Sequence, residues 1–193
     1  MDKEANPMDY FNLIDKSVRK LDSFIRDIID FSRNARLEIE PNRVEFEPLI
    51  KDIFEDVHFL ENYSKFRQSV LIHTRKDFQS DSKRIRIILS NLISNAIKHH
   101  LERENITPEV IIEIKDSGKG VNITVKDNGP GIEEKYLQNI FKMFFRATDR
   151  TPGSGLGLYI VEETVTKLKG TITVSSVIDQ GTTFTVFLPN LHK

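Results

Sequence analysis

The chain has 193 residues, and its 28 Lys and Arg against 29 Asp and Glu leave a formal net charge of -1. That balance argues against a broad basic surface for nucleic acid or an anionic membrane. Because no Cys is present, a disulfide framework, a thiolate nucleophile and a Cys-based zinc site are excluded. No apolar run reaches the roughly 18 residues of a membrane-spanning helix, and none resembles a signal peptide. We therefore expect a cytoplasmic protein without direct membrane contact in this segment.

The first predicted element is a long amphipathic helix over residues 9–37. Its apolar side chains alternate at spacings of three and four, which is typical of the seam between paired helices. The seam comprises Phe11, Ile14, Val18, Leu21, Ile25 and Ile28. Residues 38–43 are polar and contain Pro41, which indicates a linker instead of a tight helix–helix turn. An amphipathic helix packed on its own domain is the alternative interpretation.

The rest of the chain mixes helical and strand periods. We predict helices over Pro48–Tyr63, Ser82–His99 and Leu156–Lys169, the last ended by Gly170, and strands over Val70–His73, Val110–Lys115, Val121–Lys126, Thr171–Val177 and Thr182–Leu188. A sheet on one side and helices on the other make an α+β fold, a two-layer sandwich. Residues 1–37 would form the helical part, 38–46 a linker and 47–190 the globular domain.

A polar row lies on the predicted helix Ser82–His99. Asn91, Asn95 and Lys98 are spaced four and three apart, so they project from one face. Asn is unfavourable inside helices because its amide competes for backbone hydrogen bonds, which indicates a purpose for the row. An amide oxygen suits Mg²⁺, and Lys can contact a phosphate that the metal bridges. A solvated helix face is the alternative.

Two glycine-rich segments follow. Asp127 ends a predicted strand and precedes Gly129 and Gly131, so its carboxylate could accept a hydrogen bond from an exocyclic amine such as that of adenine. An ordinary turn is the alternative. Further along, residues 153–158 read Gly-Ser-Gly-Leu-Gly-Leu and open a helix, whose N-terminal N–H groups favour a phosphate. The polar loop 146–152 before it would suit a mobile cover.

The order of these motifs resembles the catalytic domain of sensor histidine kinases, in the Bergerat-fold ATPase and kinase superfamily. Residues 88–98 are similar to the asparagine box, and residues 127–132 to the first glycine box. Residues 140–146 resemble the phenylalanine box, and residues 153–158 the second glycine box. Gly181-Thr182-Thr183-Phe184 resembles the glycine–threonine motif on the closing strands. Residues 21–33 resemble the second helix of the dimerisation bundle.

The resemblance implies a role for each matching residue. Asn95 would hold Mg²⁺ against the ATP phosphates, with Lys98 on those phosphates and Arg146 in contact with the γ-phosphate. Asn91, Lys98 and Arg146 are the catalytic candidates. Asp127 would read the adenine amine. The other residues implied to bind the nucleotide are Gly129, Gly131, Gly153, Gly155, Leu156, Gly157 and Thr182. ATP and Mg²⁺ are the expected cofactors.

The family also implies an acceptor histidine followed by an acidic residue, on a helix before the one at 9–37. None of the five His in this sequence has an acidic follower. His99 and His100 end the asparagine-box helix, where cationic side chains complement the dipole. We therefore expect the acceptor on an upstream helix outside this sequence. Its further partners would be a response regulator and, in the full-length protein, a second copy in a homodimer.

Two other functions remain open. ATP hydrolases of the same superfamily carry a Glu four residues before the metal-binding Asn, where it activates water. Asn91 occupies that position here, and a neutral amide cannot act as a base. A catalytically degenerate interaction module is the second alternative, and the intact Asn95, Asp127 and glycines argue against it.

Overall fold

The computed structural model describes residues 7–58, 60, 63–74, 77–100, 106–147 and 153–191. The helices are α1 (Pro7–Arg36), α2 (Phe46–Val57), α3 (Ser82–Lys98), α4 (Glu134–Leu137) and α5 (Gly157–Lys167), with a 3₁₀ turn at Tyr63–Lys65. The strands are β1 (Asn42–Arg43), β2 (Arg67–His73), β3 (Gln79–Ser80), β4 (Glu109–Asp116), β5 (Gly120–Asp127), β6 (Thr171–Val177) and β7 (Gly181–Pro189). Among these residues, no helix is long and apolar enough to cross a membrane.

Five strands form one mixed sheet in the order β2-β4-β5-β7-β6. β2 runs parallel to β4, and the remaining neighbours are antiparallel. Residues of β4 and β5 alternate between buried and partly exposed, because every second side chain faces the helices. The predicted α+β sandwich of a mixed sheet and helices is thus confirmed.

The α3 helix supplies the centre of the core. Its apolar residues recur every three or four positions, so a wide stripe faces the sheet and the neighbouring helices. The buried members of this stripe are Ile85, Ile88, Leu89, Leu92, Ile93, Ala96 and Ile97. Asp81 caps the helix, because its side chain accepts a hydrogen bond from the Arg84 backbone N–H at 3.1 Å. The opposite stripe therefore remains for polar residues.

Several predicted boundaries differ from the structure. α2 ends at Val57 instead of Tyr63, and the Leu60 N–H bonds to the Val57 carbonyl in the turn that follows. β2 begins at Arg67, earlier than predicted, and the short antiparallel pair of β1 and β3 was not predicted at all. A two-residue strand carries too little alternation to be recognised in a sequence.

The end of α5 also differs from its prediction. Lys169, and not Gly170, has the positive φ of 60°. The Lys169 N–H bonds to the Thr166 carbonyl and the Gly170 N–H to the Val165 carbonyl, which is a Schellman motif with Lys169 at the left-handed position. Gly170 is needed for another reason, since a Cβ there would lie 2.3 Å from the Phe187 carbonyl oxygen on β7.

The C-terminal end of α1 docks on the globular part. Arg84 of α3 donates to the Leu37 carbonyl at 2.6 Å and to the Glu38 carbonyl at 3.0 Å. Lys167 of α5 donates to the Asn34 carbonyl. The Asn34 carbonyl lies in the last turn of α1, where a helix carries its partial negative charge, and the other two carbonyls follow directly after the helix. The chain directly after α1 is consequently held against α3.

Candidate functional site

A cavity of about 490 Å³ lies between α3, the segment after β5, α4, the segment before α5, and β7. That volume is within the usual range for small-molecule sites. Its polar lining residues are Asn91, Ser94, Asn95, Lys98, His99, His100, Asp127, Glu133, Tyr136, Arg146, Ser154, Asp179 and Thr182. Its apolar lining includes Ile132, Ile140, Phe145, Leu158 and Phe184. The cavity thus combines an apolar wall with converging polar groups.

The polar row of α3 forms one side of the cavity. The Asn91 amide nitrogen donates to the Ile87 carbonyl of the same helix at 2.9 Å, which fixes the orientation of its side chain. The Asn91 side-chain oxygen then faces the start of α5, where a Cβ on Gly157 would lie 2.8 Å from it. Because Gly157 has no side chain, the N-terminus of α5 can approach the α3 row closely.

Asp127 occupies the opposite end, where β5 leaves the sheet. One carboxylate oxygen, Oδ1, accepts the Gly129 N–H at 2.8 Å and the Thr182 N–H at 3.2 Å. Burial raises the pKa of the Asp127 carboxyl, and these two hydrogen bonds lower it in part. Within the described ranges no hydrogen bond is made to Oδ2. A half-buried carboxylate with one unused oxygen is suited to accept a hydrogen bond from a ligand.

The segment after Asp127 is held against the β6–β7 turn. Gly131 has a φ of 72°, and a Cβ there would lie 2.2 Å from the Val177 carbonyl oxygen. The Asp179 N–H donates to the Pro130 carbonyl at 2.8 Å. Only glycine satisfies both the positive φ and the close approach at this position. The turn between β6 and β7 therefore determines where this wall of the cavity lies.

Positive charge gathers where α3 ends. Lys98, His99 and Arg146 all line the cavity. Burial lowers the pKa of the His99 imidazole, and the nearby charges of Lys98 and Arg146 lower it further. The two His were expected to be cations that complement the helix dipole, but His99 instead favours the neutral form. Two permanent cations thus remain to attract an anionic ligand.

The N-terminus of α5 opens toward the same space. Its N-cap residue, Leu156, makes no side-chain capping bond and is itself buried in the core. The Ser154 hydroxyl accepts the Leu156 N–H at 3.1 Å. The N–H groups of the first turn, beginning at Gly157, are consequently left without a side-chain cap among the described residues. Such a terminus favours a phosphate group.

Most of the residues that the sequence singled out line this one cavity. The exceptions are Gly129, which contacts Asp127 from outside the cavity, and Leu156, whose side chain is in the core. Residues 148–152 of the loop predicted as a mobile cover lie outside the described residues, as does His192. The apolar wall was not predicted from the sequence, although the aromatic segment 140–146 was a signal for it.

A metal ion in this cavity would need coordinating groups from a bound small molecule in addition to those of the protein. Among the described residues, no group of three or more His, Cys, Asp or Glu could hold a metal ion. Asn95 lines the cavity and has a hard amide oxygen, the donor type that Mg²⁺ accepts. The residues fit Mg²⁺ that is bridged by phosphate and water, and they do not fit a metal held by protein ligands alone.

The sequence profile described as histidine kinase-, DNA gyrase B-, and HSP90-like ATPase matches residues 80–192. The chain is 30% identical over 183 residues to the sensor histidine kinase AtsR of Burkholderia thailandensis, covering 91% of this chain and 30% of that protein. It is 30% identical over 186 residues to the adaptive-response sensory kinase SasA of Synechococcus elongatus, covering 93% of this chain and 47% of SasA. The chain therefore spans less than half the length of either relative.

The fold has a counterpart among solved structures. The Acinetobacter baumannii histidine kinase AdeS superposes with a TM-score of 0.75 at 21% identity, covering 98% of this chain and 88% of that chain. At that identity the likeness concerns the fold alone. The family profile, in contrast, matches more than half of the sequence and includes every segment that lines the cavity. The chain belongs to the family of histidine kinase-, DNA gyrase B- and HSP90-like ATPases.

Proposed function

We propose that the cavity binds ATP with Mg²⁺, and that this chain is the ATP-binding catalytic domain of a two-component sensor histidine kinase. It would transfer the γ-phosphate of ATP to a histidine on an upstream dimerisation helix outside this sequence. The observation that carries the proposal is that the half-buried Asp127 carboxylate and the uncapped N-terminus of α5 face one cavity. The first suits an amine-bearing base, and the second suits phosphate.

The base would lie between Asp127 and the apolar wall. Adenine presents an exocyclic amine, and the unused Oδ2 of Asp127 can accept a hydrogen bond from an N–H of that amine. Ile140 and Phe184 would cover the faces of the ring. A charged hydrogen bond of this kind contributes about 1.5–3 kcal/mol, which is enough to distinguish an amine from a carbonyl. Guanine presents a carbonyl there, so GTP should bind poorly.

The phosphates would extend toward α3 and α5. Lys98 and Arg146 neutralise their charge, with Arg146 closest to the γ-phosphate in our assignment, and the first turn of α5 donates backbone N–H groups. When bound, Mg²⁺ would neutralise charge on the phosphate oxygens, and Asn95 is the residue that would hold it. Phosphoryl transfer depends mainly on positioning and electrostatics, so these groups suffice on the ATP side.

The absence of a carboxylate beside the phosphates favours transfer over hydrolysis. The acidic residues that line the described cavity are Asp127, Glu133 and Asp179, and none of them comes from α3 or α5. Asn91 occupies the position from which a base would act, and its amide is bonded to the Ile87 carbonyl. A water molecule beside the γ-phosphate would lack a general base.

The upstream helix is the partner that the reaction requires. The seam of α1 leaves Phe11, Ile14 and Val18 exposed, as expected of a helix that pairs in a bundle. The acceptor helix and a second copy of the chain would cover this seam, and a response regulator would then receive the phosphate. The relatives named as a sensor histidine kinase and an adaptive-response sensory kinase support these assignments.

ATP titration with and without Mg²⁺ tests the binding site. We expect Mg²⁺ to strengthen ATP binding by the wild-type chain, and Asn95→Ala to remove most of that dependence while leaving the thermal midpoint unchanged. Asn122→Ala, on a β5 residue outside the cavity, is the matched control and should behave like the wild type. A wild-type response of Asn95→Ala to Mg²⁺ would mean that another residue is the ligand.

Radiolabelled ATP tests the transfer. The 193-residue chain should form no phosphohistidine, because none of its His is followed by an acidic residue that could orient it. A chain extended upstream by the acceptor helix should acquire acid-labile label. Acid-labile label on the 193-residue chain that disappears on replacement of one of its own His would contradict the proposal.

A further inference from the structure

Ser176 on β6 joins two walls of the cavity without lining it. Its hydroxyl oxygen accepts the Ile132 N–H at 2.8 Å, and its hydroxyl donates to the Gly181 carbonyl at 3.0 Å. The same oxygen lies 2.9 Å from the hydroxyl oxygen of Thr182. Ile132 and Thr182 both line the cavity. One small side chain thus connects the segment after Asp127 with the start of β7.

The hydrogen count decides which hydroxyl donates. A serine hydroxyl has one proton and two lone pairs, and Ser176 gives its proton to the Gly181 carbonyl. The contact between the two hydroxyls is therefore a bond in which Thr182 donates and Ser176 accepts. The Ile132 N–H occupies the second lone pair, so the hydrogen-bonding capacity of Ser176 is complete.

The hydrogen bond to Ser176 fixes the orientation of the Thr182 hydroxyl. Its hydroxyl proton is directed at Ser176, away from the ligand, so only lone pairs of Thr182 are available to the cavity. Its backbone N–H is already bound to Oδ1 of Asp127, and the residue is only 6% exposed. Together with the unused Oδ2 of Asp127, this end of the cavity presents hydrogen-bond acceptors and no donor from these two side chains.

We propose that Ser176 is a positioning residue that sets the base selectivity of the site, by holding the Thr182 hydroxyl as an acceptor so that an amine-bearing purine is preferred to a carbonyl-bearing one. This inference rests on the proposed binding of ATP. Without the Ser176 hydroxyl, the Thr182 hydroxyl can rotate and donate to a carbonyl oxygen of the base. The Ile132 N–H also loses its acceptor, which loosens the adjacent wall.

Ser175 provides a matched control in the same strand. Successive residues of a strand face opposite sides of the sheet, so Ser176 faces the helices and Ser175 is exposed on the other face. In the register of the hairpin, Ser176 is opposite Thr182 and Ser175 is opposite Thr183. Removal of either hydroxyl changes the same chemical group in the same strand, but only Ser176 touches the cavity walls.

The test measures the affinities of ATP and of inosine triphosphate by calorimetry. Inosine carries a carbonyl where adenine carries the amine. We expect the preference of the wild type for ATP to fall about tenfold in Ser176→Ala, and to be retained in Ser175→Ala. Ser176→Thr keeps the hydroxyl and should retain the preference. Ser176→Cys, which has a similar shape and a weak acceptor, should behave like Ser176→Ala, and it replaces that variant if Ser176→Ala does not fold.

The outcomes separate the two proposals. If the wild type binds neither nucleotide, the proposed function is wrong. If the wild type prefers ATP and both Ser176→Ala and Ser176→Cys keep the same preference ratio, Ser176 does not set selectivity and the inference is overturned. Equal wild-type affinity for ATP and inosine triphosphate also overturns it, while nucleotide binding stands. A uniform loss of affinity for both nucleotides would show that Ser176 has a purely structural role.

Discussion

Folding disfavours the charged form of the Asp127 carboxyl. Burial raises its pKa above its ordinary value, and the two N–H bonds to Oδ1 offset only part of that effect. A raised pKa means that the folded chain binds this proton more tightly than the unfolded chain does. Its contribution to stability is therefore present at low pH and is lost as the pH rises through the pKa of the folded state.

This sign predicts a stability gain from a substitution that impairs binding. Asp127→Asn keeps an oxygen for the two N–H groups and removes the charge. At pH 7 we expect a higher free energy of unfolding than in the wild type, a difference that disappears below the ordinary carboxyl pKa of 3.8. ATP should bind about 10- to 100-fold more weakly. Urea titrations at pH 7 and pH 3.5, together with calorimetry, measure both effects.

An exposed carboxylate provides the comparison. Asp56 lies on the surface, where it pairs with Arg86. Asp56→Asn should leave the ATP affinity unchanged and change the stability little. If Asp127→Asn lowers stability at pH 7 as much as at pH 3.5, then the negative charge of Asp127 does not destabilise the folded state.

The two glycines before α5 differ in how strongly the backbone angle and the nearby atoms exclude a side chain. Gly155 has a φ of 74°, and a Cβ there would lie 2.8 Å from the carbonyl carbon of Phe144. Gly153 has open space around its Cβ position. We expect Gly155→Ala to lower the free energy of unfolding by about 1–3 kcal/mol and to weaken ATP binding, whereas Gly153→Ala should stay within about 0.5 kcal/mol. Equal effects in thermal unfolding would refute the assignment of Gly155 as the constrained position.

Among the elements, α1 and α3 meet at the buried side chain of Arg84, which also forms an ion pair within the start of α3. Arg84 pairs with Asp81 in the first turn of α3, and their side chains are only 6% and 2% exposed. Arg84 also donates to the Asn34 side chain at 3.1 Å and to the carbonyls of residues 37 and 38. Because the partners are desolvated, removing one of them leaves an uncompensated charge.

We expect Arg84→Met to lower the free energy of unfolding by about 3–5 kcal/mol, since Asp81 then stays buried without its cation. The double substitution Asp81→Asn with Arg84→Met should lower the free energy of unfolding by less than Arg84→Met alone. Arg86→Met is the matched control, because Arg86 makes only exposed ion pairs with Asp52 and Asp56 and should cost less than about 1 kcal/mol. Denaturant titration compares the three, and equal losses for the two single variants would contradict the buried role.

For the molecule as a whole, the seam of α1 is an apolar stripe left uncovered among the described residues. Phe11, Val18 and Leu21 are more than half exposed. Exposed apolar stripes of this kind promote association. We therefore expect the chain to associate weakly at high concentration, and Val18→Glu to abolish that association in sedimentation experiments. Val177→Glu, at an exposed valine of β6, should leave it unchanged. Association that survives Val18→Glu would place the contact elsewhere.

The candidate site could be anticipated because its polar residues follow short-range patterns in the sequence. Asn91, Asn95 and Lys98 share a helix face at spacings of four and three, and Asp127 ends a strand before two glycines. Such short-range patterns determine the direction in which side chains project from a helix or strand, without reference to the rest of the fold. The sequence by itself therefore determined the α+β class, the order of the central elements and the part of the cavity lining that the α3 row, Asp127 and the glycines form.

Other features depend on segments that meet only in the folded chain. Ser176 is six residues from Thr182 but 44 residues from Ile132, and its role arises only when β6, β7 and the segment after Asp127 come together. Arg84 is likewise 46 residues from the Glu38 carbonyl that it binds. Gly170 fits a helix stop by sequence, yet the close approach of β7 is what requires it. Desolvation of His99 and Asp127 is also a property of the assembled cavity. Only the tertiary structure decided these points, because hydrogen-bond partners and burial are set by packing and not by the local pattern of the chain.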